Sequence, residues 1–293
     1  MRVCAVVVTY NRRALLQECL EALGQQTRPP DHVMVIDNAS TDGTADFVRE
    51  RHPDLELVAL EHNEGGAGGF HEGLRRGYAA GYDWIWLMDD DTLPTPAALA
   101  ALLAAPARLG DGPPPALLAS KVVWSDGRMH PMNFPGFERL RTDFVLQSCE
   151  RALMPLRTTT FVSLLVHREA VSRHGLPLKR YFLWSDDIEY TARILRHEPG
   201  FLVPDSITVH KTSEPYTAIS TSGERFYYHA RNTVYMLRGP AWRVSEKPSL
   251  LFSLIMSIPA YLSFNRFAPH NVAVVLRGLR DGLSPRAPVP SRP

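Results

Sequence analysis

The sequence predicts an α/β fold: a doubly wound, mostly parallel sheet with a helical appendage at its C-terminal end. Three observations predict it. Strand-like and helix-like runs alternate β-α-β-α-β-α-β over the first stretch of chain, which calls for a parallel sheet with right-handed crossovers. The first run, Val3 to Thr9 (VCAVVVT), is apolar throughout, as a central strand buried on both faces must be. Each strand-like run ends in a polar cluster, and open α/β sheets place their ligand crevice at that edge.

The elements follow in order. After Val3 to Thr9, the segment Tyr10-Asn11-Arg12-Arg13 turns out of the strand. Leu15, Leu16, Cys19, Leu20 and Leu23 give a helix over 14–23, closed by Gly24. Val33 to Ile36 is the next strand and ends in Asp37-Asn38. Ala39 to Thr44 is turn chemistry, with Asp42 or Thr44 able to cap a helix over 45–51. Leu55 to Leu60 is the third strand. Asn63-Glu64-Gly65-Gly66-Ala67-Gly68-Gly69-Phe70 then opens a helix reaching about Ala80. Trp84 to Met88 is the fourth strand, and it stops at Asp89-Asp90-Asp91.

Further along, 96–105 reads as an Ala/Leu-rich helix, Leu117 to Val123 and Phe161 to His167 as strands, and 125–158 as irregular with hairpin-like stretches. Helices are expected over 169–174, 186–196 and 224–238, and a short strand over 207–211. Leu250 to Phe264 is strongly apolar but only 15 residues long and contains Pro259. It falls short of the roughly 20 residues a span needs, so an interfacial helix pair is expected. Packing on the core, or on a second copy in a homo-oligomer, is the other reading. The Pro-rich end is expected to be disordered.

Bulk properties narrow the function. The net charge of +1 gives no global field to attract nucleic acid, which is excluded as a partner. Cys4, Cys19 and Cys149 show no metal spacing and suit free thiols in a reducing compartment. No cleavable leader is apparent, so the expected location is the cytoplasm, with the membrane's inner face open through the apolar tail.

The chemistry concentrates at two acidic clusters. Three adjacent carboxylates repel one another, and either solvent or a cation must neutralise them. On an extended segment Asp89 and Asp91 point to one side and can hold a hard cation, Mn²⁺ or Mg²⁺, with Asp90 facing elsewhere, toward a ribose hydroxyl. His210, at a strand end in a polar segment, is either a structural histidine or a third ligand. The glycine cluster makes a tight turn or a backbone cradle for an anion or sugar. In Trp184-Ser185-Asp186-Asp187, Ser185 or Asp186 caps a helix, or the neighbouring acids provide a general base. Trp184 and Tyr181 offer flat surfaces suited to sugar faces, or else belong to the core.

The stretches VVVTYNR, VIDNASTDGT, NEGGAGGF, WLMDDDT and WSDDIEY, in this order, resemble the inverting glycosyltransferases of family 2, which have a GT-A (Rossmann-like) fold. NEGGAGGF, the acidic triplet and YYHARN (Tyr227 to Asn232) resemble bacterial galactofuranosyltransferases and rhamnosyltransferases of cell-envelope glycan assembly. The resemblance implies donor contacts from Thr9, Asn11, Arg12, Asp37, Asn38, Asn63, Gly66, Ala67, Gly68, Gly69 and Asp90. It implies a metal on Asp89, Asp91 and His210, and Asp187 as base with Asp186 as runner-up. Arg231 joins Trp184 and Tyr181 on the acceptor side. Asn38 departs from the family, which more often has a second acid there. The QxxRW motif of processive synthases is absent.

The implied reaction is metal-dependent inverting transfer from a nucleoside-diphosphate sugar to a glycan or lipid-linked glycan, with UDP-galactofuranose favoured as donor. A dTDP-rhamnose-dependent enzyme and a non-catalytic sugar-nucleotide binder are the alternatives. The implied organisation is a catalytic domain over 1–240, a helical region over 241–283 that associates with membrane or packs, and a tail over 284–293. A haloacid-dehalogenase-type phosphatase would carry its acids on the first strand, and a nucleotidyltransferase a Lys/Arg-bearing glycine loop after it. Neither is present.

Overall fold

The computed structural model describes residues 1–110, 114–213 and 223–284; the Pro-rich end from 285 onward and part of the loop expected at 110–115 lie outside them. The first elements are β1 (Val3–Thr9), α1 (Arg13–Gly24), β2 (His32–Asp37), α2 (Thr44–Arg51), β3 (Glu56–Ala59), α3 (Gly65–Ala79) and β4 (Trp84–Asp89). They follow the expected alternation. β1 lies between β2 and β4, and β3 pairs with β2, all parallel. After β3 the chain crosses to the other flank of β1, so the C-terminal ends of β1 and β4 form the switch point of the sheet.

β1 shows why the strand had to be apolar throughout. Cys4, Val6 and Val8 enter one core with Ile85, Leu87, Phe70 and Leu74. Val3, Ala5 and Val7 enter another, on the opposite face, with Trp84, Trp86, Leu16 and Leu20. α3 presses closely on the first core. A Cβ on Gly69 would stand 2.5 Å from Val8, on Gly73 2.2 Å from Val6, and on Gly77 2.9 Å from Ile85. The i, i+4 glycines thus form a groove in which the sheet side chains lie.

The chain continues with β5 (Thr92–Pro94), α4 (Ala98–Ala104), β6 (Leu117–Val123), β7 (Gly136–Phe137), α5 (Thr142–Glu150), β8 (Met154–Thr158), β9 (Leu164–His167), α6 (Arg168–His174), α7 (Asp186–Leu195), β10 (Gly200–His210), α8 (Phe226–Arg238), α9 (Lys247–Phe264) and α10 (Pro269–Gly282). The sheet extends from β4 through antiparallel β9 to β6, parallel β10, and then β8 and β7, with β5 pairing on β10. It is mixed but mostly parallel where the site lies.

Three expectations change. The stretch 125–158 has the hairpin-like pairing expected, with β7 antiparallel to β8, but it also contains the unexpected helix α5. α5 buries only Ser148, so it has no apolar stripe to read, and β8 buries Arg157 and Thr158 beside Pro155 and Leu156, so its buried run is half polar. The strand expected at 207–211 begins at Gly200, because Pro204 and Asp205 lie at a bulge between Val203 and Ile207. The apolar tail segment is longer than its apolar run. Helix covers Val244–Phe264, 21 residues, enough to cross a bilayer by length and composition alone.

The last three helices share a small core of Phe226, Ala230, Val234, Leu254, Tyr261, Val274 and Val275. α10 lies backbone-close on α8: a Cβ on Gly278 would be 2.8 Å from the Tyr227 carbonyl oxygen.

Candidate active site

The switch point brings β1 and β4 together through side chains. Thr9 Oγ1 donates to Asp90 Oδ2 at 2.8 Å. Arg12 donates to Asp91 Oδ2 at 2.7 Å and to Asp90 Oδ1 at 3.3 Å. Asp90 is buried and both its oxygens are engaged within the protein, so in this structure it turns toward β1 rather than toward a ribose. Burial pushes its carboxyl up to about 6 against the pull of Arg12.

Asp89, Asp91 and His210 converge from β4, the turn after it and the end of β10. One ligand atom from each lies within 4.8 Å of the others. The lone pairs are arranged for a cation. Asn133 Nδ2 donates to Thr160 at 2.9 Å, so its Oδ1 accepts from His210 Nδ1 at 2.7 Å. A neutral imidazole with its proton on Nδ1 would present Nε2 as an acceptor. Nε2 faces the buried Asp91 Oδ1 at 3.1 Å. In that tautomer the two atoms would suit a shared divalent ion; a protonated imidazole would pair with Asp91 directly. Mixed imidazole and carboxylate donors suit Mn²⁺ or Mg²⁺. Burial and the neighbouring Asp91 and Asp90 hold the Asp89 carboxyl well above its usual range.

The second cluster stands on an unusual turn. Phe182, Trp184 and Ser185 have φ of 60°, 63° and 65°, a left-handed conformation that non-glycine residues rarely adopt. Ser185 holds the N-cap position of α7, but its side chain makes no capping bond, so the cap expected there is absent. The turn is fastened from outside. Asn232, fully buried on α8, donates Nδ2 to the carbonyls of Tyr181, Leu183 and Trp184 at 3.1, 2.9 and 2.7 Å. Arg231 donates to the carbonyls of Arg180 and Tyr181 at 2.9 and 2.7 Å. The Phe182 carbonyl accepts from Ala67 N at 3.2 Å, which joins the turn to the start of α3.

The turn delivers Asp186 and Asp187 toward Asp89. Burial and then Asp187 push Asp186 well above the usual carboxylate range, and Asp89 adds to the effect. Burial pushes Asp187 up to about 6, restrained by backbone N–H groups of Ile188 and Phe161. Asp187 is half-buried, whereas Asp186 is closed off. A carboxylate with that value is ionised at neutral pH and still basic enough to take a proton.

Other expected residues fall differently. Tyr181 is 1% exposed and offers no face to a sugar. Its ring packs edge-on against Tyr235 instead. Arg231 is committed to the turn, while Trp184 remains half-buried. Ala67, Gly68 and Gly69 are buried inside α3, because the helix needs their lack of bulk to approach Glu64 and Val8. Of the glycines expected at a donor, Gly66 alone faces open space.

Asn63, Asn38, Asp37 and Asn11 tie the rim together. Asn63 Oδ1 accepts from Gly65 N at 2.8 Å. Asn38 accepts from Glu64 N and donates to the Gly65 carbonyl. Asp37 accepts from Ser40 N, and Asn11 from Thr41 N. Sequence reasoning missed Asn133 altogether, since nothing local marks it. Asn232 lay within the quoted YYHARN stretch, which was the available signal.

A parallel switch point with Asp89, Asp91 and His210 gathered near Asp186 and Asp187 is the layout of a GT-A-type fold. Comparison with known proteins makes this specific. The family model "Glycosyl transferase family 2" matches residues 4–145. The galactofuranosyltransferase GlfT1 of Mycobacterium tuberculosis is 30% identical over 263 residues, 82% of this chain and 84% of that protein. GlfT1 of Mycolicibacterium smegmatis is 32% identical over 203 residues, 66% of this chain and 65% of that one. An N-acetylglucosaminyl-diphospho-decaprenol L-rhamnosyltransferase of M. tuberculosis is 28% identical over 232 residues, covering 70% and 74%. The chain belongs to glycosyltransferase family 2.

Solved structures agree on the fold. The mannosyltransferase PcManGT of Pyrobaculum calidifontis, in complex with GDP-Man and Mn²⁺, superposes with a TM-score of 0.56 at 24% identity, covering 97% of this chain and 76% of that one. S. aureus TarS 1–349, in complex with UDP-GlcNAc, gives 0.61 at 18% identity, covering 96% and 80%.

Proposed function

We propose that this chain is a metal-dependent, inverting galactofuranosyltransferase that uses UDP-galactofuranose and a lipid-linked or other glycan acceptor of the cell envelope. The observation that carries the chemistry is the convergence of Asp89, Asp91 and His210, whose ligand atoms lie within 4.8 Å of one another, with the carboxylate of Asp187 near Asp89. The named activity of the GlfT1 relatives supports the donor sugar, and the UDP-GlcNAc bound to TarS supports a uridine nucleotide.

Asp89, Asp91 and His210 would hold Mn²⁺ or Mg²⁺, which when bound supplies positive charge against the diphosphate. Arg12 adds a second cation at the same edge; Thr9 and Asp90 orient it. Gly66 leaves room at the start of α3 for the donor, and Asn11, Asp37, Asn38 and Asn63 shape the rim on the nucleotide side. Asp187 takes the proton of the acceptor hydroxyl. The freed oxygen attacks the anomeric carbon as the carbon–oxygen bond to the diphosphate breaks, and the electron pair leaves with the diphosphate. One displacement inverts the anomeric centre, and no sugar–enzyme intermediate is needed. Trp184 lies on the acceptor side. Residues 1–240 form the catalytic unit and 241–283 the helical region that serves it, in a protein working at the inner face of the membrane.

The test is a donor panel with a lipid-linked acceptor, read by mass spectrometry. Transfer from UDP-galactofuranose is expected. Transfer only from dTDP-rhamnose would favour the second reading, which the decaprenol-linked rhamnosyltransferase relative supports. Donor binding without transfer from any donor would mark a binding protein.

A further inference from the structure

α9 is apolar on two opposite faces. One face packs inward: Tyr261 stacks on Phe226 at 4.0 Å, its hydroxyl donates to the Gly223 carbonyl at 2.9 Å, and the Asn271 side-chain amide lies 2.7 Å from that hydroxyl. Ser257 meets His229 at 3.1 Å. The other face carries Leu251, Phe252, Ile255, Met256, Phe264 and, just past the helix, Phe267, each 47% to 64% exposed. Leu251, Phe252, Ile255 and Met256 are spaced three and four residues apart and share one face, and Phe264 and Phe267 extend the exposed apolar surface beyond the exposed Pro259 and Ala260.

The charge left over around the stripe is positive. From Lys247 to Arg280 the chain carries Lys247, Arg266, Arg277 and Arg280, and the flanking acids Glu246 and Asp281 are already paired, Glu246 with Arg157 and Arg243 and Asp281 with Arg280. Lys247 begins the helix and Arg266 follows its end.

We propose that the outward stripe of α9 lies in the plane of an anionic lipid surface, with Lys247 and Arg266 among the headgroups at its two ends. The inward face excludes the spanning alternative, because a helix crossing a bilayer would surrender the Tyr261 and Ser257 bonds to α8 and its neighbours. Charge disfavours a second copy of the chain. Pairing α9 with itself, in either direction, sets cation against cation at both ends with no acid between them. Anionic headgroups match that pattern, and an apolar stripe flanked by cations is the composition of an in-plane helix.

The placement has a use that rests on the transferase reading. α8 holds α9 on one side and fastens the turn before Asp187 on the other. Two helix layers, α9 and α8, roughly 20 Å of protein, therefore separate lipid from the turn that carries the base. An acceptor sugar on a lipid diphosphate would need to reach across that distance from the surface.

The full-length protein would be floated with vesicles of phosphatidylcholine alone and with about 30% phosphatidylglycerol added. Binding is expected to the anionic vesicles and at least about tenfold weaker to the neutral ones. The triple variant F252S/I255S/M256S should lose binding, and K247E/R266E should lose at least about tenfold, with circular dichroism and transfer to a water-soluble acceptor unchanged in both. Equal binding to both vesicle types, or no binding to either, would overturn the proposal. So would a dimer seen by light scattering that the triple variant dissolves. Vesicle binding that persists in a protein inactive with every donor would leave this inference standing and remove the transferase reading.

Discussion

The two halves of the site are built by different means. Asp89 ends β4, a strand paired on both sides, and Asp91 is held one turn later by Arg12. Local backbone geometry alone puts these two carboxylates side by side. Asp187 stands on a turn with residues at φ of 60° to 65°, which its own sequence does not favour. It stays in place because Asn232, on a later helix, satisfies three of its carbonyls. A carboxylate on a strand end is positioned by the sheet. A carboxylate on a strained turn is positioned by whatever grips the turn. The first half should therefore fail when its ligands, or the Asn133 side chain that orients His210, change, and the second should fail when the helix that grips its turn changes.

Substitutions can break that contrast. The largest effect is expected for Asp187→Asn, which removes the base: kcat should fall about 10²- to 10⁴-fold with donor binding retained. Full turnover in this variant would refute the assignment. In the wild type, kcat should decline as pH falls through about 6, because burial has raised the Asp187 carboxyl to that value and protonation disables it. An acid limb near pH 4 would assign the base elsewhere.

Asn232→Ala comes next. It leaves buried carbonyls without a donor, which costs about 1–3 kcal/mol of stability. It also frees the turn, and kcat should drop by up to about 10²-fold while KM for the donor holds. An unchanged kcat in the folded variant would show that the turn needs no external grip. Asn133→Ala probes the other half through its supporting residue. Mn²⁺ affinity by calorimetry should weaken about 10- to 100-fold, since Asn133 fixes the proton on His210 Nδ1. Unaltered affinity would detach Asn133 and His210 from the cation.

The smallest effect is expected for Asp186→Asn. The wild-type carboxyl is raised well above its unfolded value of about 3.9, so folding stability that is present at low pH is lost as pH climbs toward the folded value. The amide removes that loss, and the melting temperature should depend less on pH above about 4. Activity should stay within a few-fold, about the range of an interaction that does not touch the reacting atoms. A loss comparable to that of Asp187→Asn would exchange their roles.

The same contrast decides what could be read from the sequence. Strands β1, β2 and β4 and the acids at their ends were legible, because an apolar run that stops at a polar cluster encodes both a strand and its edge. His210 was recognisable as a strand end, although β10 starts far earlier than its Pro204-Asp205 interruption allowed. α5 was hidden because it buries Ser148 alone, and β8 was legible only as a hairpin-like stretch because Arg157 and Thr158 make half of its buried run polar. The roles of Asn133, Asn232 and Arg231 were not legible, because each serves a segment distant in sequence. Tyr181 and Gly69 were misplaced for one reason: aromatic and glycine residues near a site serve packing as readily as ligands, and only burial separates the two.

The glycines of α3 carry a last consequence, for the chain's tolerance to change. Gly69, Gly73 and Gly77 face sheet side chains with no room for a methyl group, while Gly66, one turn earlier, has nothing within 4 Å. In a saturation library selected for soluble expression, the first three positions should reject every replacement and Gly66 should accept many. Selected for activity, Gly66 should become as intolerant as the others. The gap between the two screens at that position would report ligand contact alone, with no contribution from folding.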